Sequence, residues 1–468
     1  MSEQVSPPSA AASPAPLAPD PAAPLAFGDL LAHFQRGCKA SEERRIGLEH
    51  EKIGVVLTPD GRVLPLPYAA ESGPAEIRTL FAGLQARGWL PSSEGGVDGA
   101  VIALKRNRAS VTLEPGGQFE LSGAPQLTDV AAVAELDAHI AELLPLADAA
   151  GVAFLGCGFR PLGTWADVPW VPKGRYAIMR EYLPTRGSLG VEMMKRTATV
   201  QANLDYTSEA DAMAKLRMSI ALGPFVTALF AASPLVDGKP GGYQSFRAAC
   251  WLDTDPDRCG TLPFVFRDGA SFADYAEWAL DVPLFFIYRH KRYITAPGVT
   301  FRRFMAEGYA GERATLADWE LHLSTLFPDT RLKQYVEMRT ADAGPLSTVR
   351  ALASLWRGWL YDAEAERAAT ALVSPYSHAE IAELRTAVPR QGLAAKLRGQ
   401  PIAALCRELV DIARAGLSRI ADAQSLALLE PLQAYAAAGR CPADDILDAF
   451  HAAAGDPRRF AEAIRLRP

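Results

Sequence analysis

The chain has 468 residues, 49% of them hydrophobic and 22% charged, so a sizeable core is available and wholesale disorder is excluded. Lys and Arg number 48 against 54 Asp and Glu, a net charge of −6, which argues against nucleic acid as the main partner because phosphate neutralisation needs a basic surface. The six cysteines (Cys38, Cys157, Cys250, Cys259, Cys406 and Cys441) show no CxxC spacing and the seven histidines no HExxH pattern. Neither a disulfide scaffold nor a zinc site is indicated, and a reduced, cytoplasmic setting is expected.

Residues 1–26 hold seven Pro, eight Ala, two acids and no Lys or Arg. Such a stretch has little to bury and lacks the marks of a targeting peptide, so a disordered or polyproline-like leader is expected. From residue 27 to about 345, short β-like runs alternate with helical ones. The strands predicted are Gly47–Leu57, Ser110–Leu113, Gln118–Ser122, Ala153–Phe159, Thr197–Asp205, Phe264–Phe266, Leu284–Tyr288 and Gln334–Arg339; the helices include Asp129–Ala150, Ser208–Leu222 and Ser271–Leu280. Met218 to Val236 carries 19 uncharged residues, but Pro224 and Pro234 interrupt it, so it reads as a buried helix rather than a membrane span. From Ser347 onward Ala, Leu, Glu and Arg dominate, with Ser377 and Asp444 as helix N-caps and Gly416 and Gly455 as stops. No repeat or long polar linker divides the chain. One domain is expected over 27–468, a sheet-containing body (27–345) followed by a helical region (346–468).

The informative anomaly is sidedness. On a strand, residues i and i+2 share a face about 6.6–6.8 Å apart. Glu49 and Glu51 therefore point the same way, on a face that continues into apolar Ile53 and Val55. Two carboxylates beside an apolar stripe repel each other unless a positive charge lies between them, and a metal ion is the usual answer. The pattern recurs: Glu114 precedes a Pro-Gly-Gly turn, Gln118 and Glu120 share a face, Thr199, Gln201, Asn203 and Asp205 share another, and Glu337 and Arg339 point together. Oxygen donors in such numbers suit Mg²⁺ or Mn²⁺ rather than zinc. Solvated faces of an ordinary antiparallel sheet would show the same alternation on any one strand; acids on four strands favour a site. Lys173, Arg175, Arg180, Arg196, Arg247 and Arg258 lie between these strands and suit an anionic substrate, or structural ion pairs. No GxxxxGK[ST], dinucleotide fingerprint or GxSxG occurs.

Arg45–Lys52 (RIGLEHEK), Leu113–Ala124 (LEPGGQFELSGA), Pro172–Tyr176 (PKGRY), Arg196–Asp205 (RTATVQANLD), Asp255–Gly260 (DPDRCG) and Glu337–Pro345 (EMRTADAGP) closely resemble the plant-type glutamate–cysteine ligases, a family found also in proteobacteria. The resemblance runs from about Phe27 to about Phe450 and is densest up to Pro345. It implies an α+β, glutamine-synthetase-like fold: a curved, mainly antiparallel sheet forming an active-site funnel, backed by helices. It implies ligation of the L-glutamate γ-carboxylate to the L-cysteine amine, driven by ATP through γ-glutamyl phosphate, as the first step of glutathione synthesis. Glutamate, cysteine and ATP would be the partners, with neither nucleic acid nor membrane, in a monomer or a homodimer.

By the same resemblance Glu49, Glu51, Glu120, Gln201 and Glu337 would hold two or three Mg²⁺ ions, with Glu114 a further ligand or an acid behind them. Arg339 would contact the transferring phosphoryl group and, with Glu337 and Arg258, form the catalytic set. Arg247, Trp251 and Arg258, with Asn203 and Arg175, would bind amino-acid substrate, and Lys173 with Arg339 the nucleotide. The plant enzymes' redox control is not implied, because Ala296 stands at the first position of the cysteine pair that brackets the hairpin Tyr293–Arg302, and the next cysteine is Cys406. The residues alone leave open a ligase of the same fold with another amine acceptor or feeding another thiol pathway, a metal-dependent hydrolase, and a non-catalytic glutamate- or nucleotide-binding regulator.

Overall fold

Ten strands form one sheet: β1 (Ile46–Leu57), β2 (Val63–Pro65), β3 (Leu90–Ser92), β4 (Ala103–Arg106), β5 (Ala109–Leu113), β6 (Phe119–Ser122), β7 (Val152–Leu155), β8 (Val200–Leu204), β9 (Thr330–Leu332) and β10 (Val336–Met338). The structure, a computed structural model, describes residues 24–93, 95–421 and 423–467. The leader expected over residues 1–26 lies outside the described residues up to residue 23.

Every pairing in this sheet is antiparallel, in the order β9-β10-β8-β1-β6-β5-β4-β3. The long strand β1 changes partners midway. Its first half, through Lys52, lies between β6 and β8; from Ile53 onward β7 and β2 replace them. The exchange follows the sequence, since the first half carries Glu49 and Glu51 on one face while the second, Ile53-Gly54-Val55-Val56, is apolar, rich in β-branched residues and buried through Val55.

The opposite face of the sheet is closed by helices. Asp129–Ala149 starts at Thr128, whose hydroxyl accepts from the Ala131 N–H, and buries Val133, Leu136, Ile140 and Leu143 against β1 and β7. Leu346–Leu360 covers β8 and β1. Asp129 ties this layer together, accepting from Ser354 at 2.6 Å, from Ser425 at 2.9 Å and from Arg357. His50 and Lys52 point into this layer and are buried there. One continuous apolar core runs from Leu30 to Leu466, joining the sheet-containing body to the helices after Leu346.

Several elements depart from expectation. Phe264–Phe266 is not a strand but part of a 3₁₀ turn, Pro263–Phe266, because Pro263 fixes a helical φ and removes a ladder donor. The strand at Ala153 stops at Leu155, where Gly156-Cys157-Gly158 leaves the sheet. The helix expected to end at Leu222 passes through Pro224 to Leu229, as burial of its whole second half outweighs the one lost hydrogen bond. That helix, Glu209–Leu229, is long and apolar enough to cross a membrane, but its apolar window is 89% buried inside the protein. Asp444 is not the N-cap but sits three residues beyond it, accepting from the Cys441 N–H at 2.8 Å.

Candidate active site

Strand register converts the sequence pattern into a site. Glu51 lies directly opposite Glu120, Glu49 opposite Gln201, and Asn203 opposite Glu337, so the donors cross β6, β1, β8 and β10 in adjacent ladder positions. Directly opposed side chains have Cβ atoms about 4.5–5.5 Å apart, the separation at which like charges destabilise a sheet. At an effective dielectric near 20, two such carboxylates repel by about 3 kcal/mol.

Glu49, Glu51, Glu120, Gln201 and Glu337 line a cleft of about 210 Å³, together with Glu114, Arg175, Tyr176, Ser324, Thr325, Phe327, Arg331 and Arg339, whereas Asn203 is not in its wall. Glu114 enters from the turn before β6. Gly116 is required there because a Cβ would stand 2.1 Å from the Lys195 carbonyl oxygen, and Gly117 supplies a left-handed φ of +80°. Gln118 does not reach the cleft, since its amide donates to the Met194 and Thr197 carbonyls at 3.2 and 2.7 Å.

The acids divide into two electrostatic classes. Burial, then the charges of Glu337 and Glu120, push Glu49 up to about 7. Burial, then Glu114 and Glu120, raise Glu51 well above the ordinary carboxylate range; burial, then Glu114, raise Glu120. Hydrogen bonds offset part of this. Asn203 donates to Glu49 at 2.7 Å, the Thr199 N–H to Glu51 at 3.0 Å, and Ser122 and Thr112 to Glu120. Glu337 is the opposite case. Burial pushes it up, but Arg331, Lys333 and Arg339 overcome that and hold it well below the ordinary range.

Arg331 chelates Glu337 at 2.8 and 2.6 Å, Lys333 approaches to 3.1 Å, and Arg339 donates to it at 2.8 Å and to Gln201 at 3.0 Å. Both oxygens of Glu337 are therefore already engaged by cations, unlike those of Glu49, Glu51 and Glu120. Arg331 and Lys333 escaped the sequence reading, although Arg331-Leu332-Lys333 has the same i, i+2 alternation, because β9 has only three residues and follows Pro328-Asp329.

Arg339 and Phe327 also line a second, smaller cavity with Arg247, Trp251, Asp329, Thr340 and Arg385. Arg247 is buried, donates to the Arg339 carbonyl at 2.8 Å, and stands 3.8 Å from Asp342. Its Nε, Nε1 of Trp251 and Nε of Arg175 are buried with no hydrogen-bond partner. Lys173 reaches the Tyr176 hydroxyl at 3.1 Å; burial, then Arg175, push it down to about 8 against the pull of Glu114 and Glu120. Arg258 lines neither cavity. It is fully buried, bonded to Asp255 at 2.6 Å and to the Thr325 and Pro283 carbonyls, and stacked 3.7 Å from the Phe285 ring centroid.

Among the described residues, no group of three or more Asp, Glu, His or Cys side chains is placed so as to hold a metal ion by itself. The acids line an open cleft instead. Mg²⁺ takes one or two carboxylates and completes its octahedron with water and substrate phosphate, so an oxygen-only set of mutually repelling acids fits that ion better than a closed cage would. The six cysteines are free.

A model of glutamate–cysteine ligase family 2 matches residues 45–463. The chloroplastic glutamate–cysteine ligase of Nicotiana tabacum is 43% identical over 434 residues, covering 92% of this chain and 81% of the relative. Those of Arabidopsis thaliana and Oryza sativa (form B) are each 42% identical, covering 92% and 91% of this chain and 80% and 84% of the relatives. A solved glutamate–cysteine ligase from Francisella tularensis, in complex with AMP, superposes over 90% of this chain and 89% of its own with a TM-score of 0.53 at 15% identity, which supports the α+β, glutamine-synthetase-like architecture. The chloroplastic relatives overturn the cytoplasmic assignment: free, sparse cysteines report a reducing compartment, and more than one compartment is reducing. With 43% identity over nearly its whole length and a family model matched from residue 45 to residue 463, this chain belongs to glutamate–cysteine ligase family 2.

Proposed function

We propose that the protein joins the γ-carboxylate of L-glutamate to the amine of L-cysteine at the expense of ATP, the first step of glutathione synthesis, using the acidic cleft for the nucleotide's phosphates and the adjoining Arg247–Trp251 cavity for amino acid. The observation that carries the assignment is the ladder register that sets Glu51 directly against Glu120, two like charges that a cation between them would relieve, with Glu49 and the amide of Gln201 in the adjacent positions.

A carboxylate is a poor acylating agent. Its oxygen first attacks the γ-phosphorus of ATP, the bond to the β-phosphate oxygen breaks, and ADP leaves with that electron pair. The cysteine nitrogen then attacks the acyl carbon, phosphate departs with the C–O pair, and the nitrogen gives up a proton. Glu49, Glu51 and Glu120, with Glu114 and Gln201, would hold Mg²⁺, two or three ions being accommodated by the number of oxygens. When bound, Mg²⁺ supplies neutralisation of the phosphate charge. Glu337 shares its oxygens among three cations, and its foremost task is to aim Arg331, Lys333 and Arg339 at the cleft.

Arg339 faces both cavities, so its fixed charge lies where a phosphoryl group would pass from nucleotide to amino acid. The unpartnered nitrogens of Arg247 and Trp251 would receive a substrate carboxylate and that of Arg175 nucleotide or substrate oxygens; Lys173, bonded to the Tyr176 hydroxyl and outside both cavity walls, would add its charge from behind Arg175. Asn203 orients Glu49. Arg258 acts from behind, holding the Thr325 carbonyl of the cleft wall.

The test is ATP consumption with glutamate, with and without cysteine, and mass analysis of the product. γ-Glutamylcysteine formed only with all three substrates is the expected result. Turnover without ATP would replace the ligase by a hydrolase, and a better acceptor among a panel of amines would replace cysteine.

A further inference from the structure

A third cavity, of about 410 Å³, shares no lining residue with the two just described. Met213, Met218 and Ala221 of the helix Glu209–Leu229 form one wall, Val265 and Phe266 a second, and Val373 and Tyr376 a third. Its volume falls within the range of about 300–1,000 Å³ that small-molecule sites occupy. Methionine walls are polarizable and adjust to the shape of an apolar guest.

One charged group makes this more than an apolar hollow. Arg217, half-buried on the same wall, forms no hydrogen bond and no ion pair with any described residue; its one contact of note is the Phe266 ring, 5.8 Å from its guanidinium carbon. Several other part-buried arginines are committed to carboxylates: Arg289 to Asp318, Arg385 to Asp329, Arg357 to Asp129; Arg175, which like Arg217 forms no ion pair, lines the acidic cleft. The other basic lining residue, Arg267, is paired with Asp274 at 2.6 Å, and the acidic one, Asp268, is exposed on the loop. A partly desolvated guanidinium with unspent donors, set in an apolar cavity, selects an anion with an apolar body and disfavours a cation.

We propose that this cavity binds a small amphipathic anion, its carboxylate, sulfonate or phosphate on Arg217 and its apolar part among Met213, Met218, Val265 and Phe266. The site shares a helix with the ligase centre. The helix that carries Met213, Arg217, Met218 and Ala221 here contributes Pro224 and Thr227, one and two turns further on, to the wall of the Arg247–Trp251 cavity. Thr227 also donates to the carbonyl of Thr340, next to Arg339, at 3.2 Å.

The test compares two fluorescent probes of similar body, 8-anilinonaphthalene-1-sulfonate and uncharged N-phenyl-1-naphthylamine, titrated into the full chain. Saturable binding of one sulfonate probe per chain is expected. Arg217→Met should weaken the sulfonate by about tenfold or more while leaving the uncharged probe unchanged, the loss of one charge-assisted contact. Arg217→Lys should keep most of the preference. Ala214→Trp, a change at an exposed lining position, should block both probes while leaving ligase turnover, and hence the fold, intact. Ligase turnover of Arg217→Met without probe should match the unmodified chain, which also reports that the variant is folded. Equal sulfonate affinity in the unmodified and Arg217→Met proteins, undiminished binding in Ala214→Trp, or no saturable binding at all would overturn the site.

Discussion

Arg331 holds both oxygens of Glu337, Nε to Oε2 at 2.8 Å and Nη2 to Oε1 at 2.6 Å, from the ladder position directly opposite. The pair is buried, so removing one charge strands the other. Glu337→Gln should therefore lower the unfolding free energy by about 3–5 kcal/mol besides reducing turnover. Arg339→Ala leaves Glu337 with Arg331 and Lys333, so it should unfold near the denaturant midpoint of the unmodified protein while kcat falls about 100- to 1,000-fold. Denaturant titration and steady-state assay of both variants separate the two roles; equal stability loss in both would mean that Arg339 is structural.

Metal binding should release protons. With Glu49 pushed up to about 7, the metal-free cleft is partly protonated at pH 7, and a carboxylate must be ionised to bind a cation. Titrating Mg²⁺ into chelator-treated protein at pH 7 should release on the order of half a proton per chain from this group, less at pH 8.5 and more at pH 6. Calorimetry in two buffers of different ionisation enthalpy measures the number. Glu49→Gln should reduce it, and identical heats in both buffers would refute the assignment.

Acid should destabilise the fold through its buried imidazoles. Burial pushes His322 down to about 3, although its Nε2 donates to the Ala279 carbonyl at 2.8 Å. Below pH 6.5 the unfolded chain takes up a proton that the folded chain refuses until about pH 3. Stability is thus present above 6.5 and lost as pH falls, at about 1.4 kcal/mol per pH unit for this one group. His50 and His139, also lowered by burial, add to the slope. In His322→Phe, unfolding free energies between pH 6 and pH 4.5 should fall less steeply by one proton's share. An unchanged slope would place the acid sensitivity elsewhere.

The acidic face was legible because a strand's period of two is rigid: Glu49, Glu51, Glu120, Gln201 and Arg339 all face the cleft that the alternation predicts. Register was not legible. That Glu51 meets Glu120 rather than Ser122 depends on which strands pair, and no single strand states that. Arg258 illustrates the other limit, since the residue type suits a substrate anion and only packing reveals that its nitrogens are taken by Asp255, Thr325 and Pro283. Gly416 looks like a helix stop in the sequence, yet it sits inside Ala403–Ile420, where a Cβ would lie 2.1 Å from the Gly358 carbonyl of a crossing helix. Glycine there marks a close crossing. Gly416→Ala should cost about 1–3 kcal/mol in urea unfolding despite alanine's higher helix propensity, and a stabilised variant would contradict this packing.

The helix His378–Gln391 contributes directly to the cavity proposed for amino acid. Arg385, on the helix His378–Gln391, bonds Asp329 at 2.5 and 2.8 Å, and the Asp329 carbonyl in turn accepts from the Arg339 N–H at 3.2 Å. Both partners line the cavity that holds Arg247 and Trp251. Arg385→Met would leave Asp329 uncompensated beside Arg339 and Arg247, free to compete for their guanidinium groups. Amino-acid binding should suffer first: KM for the amino acid held there should rise about tenfold or more, as when one charge-assisted contact is lost, while KM for ATP changes little. Asp329→Asn combined with Arg385→Met removes the stray charge and should recover part of the loss. A rise in both KM values together, with no recovery in the double variant, would show that the pair merely braces the fold.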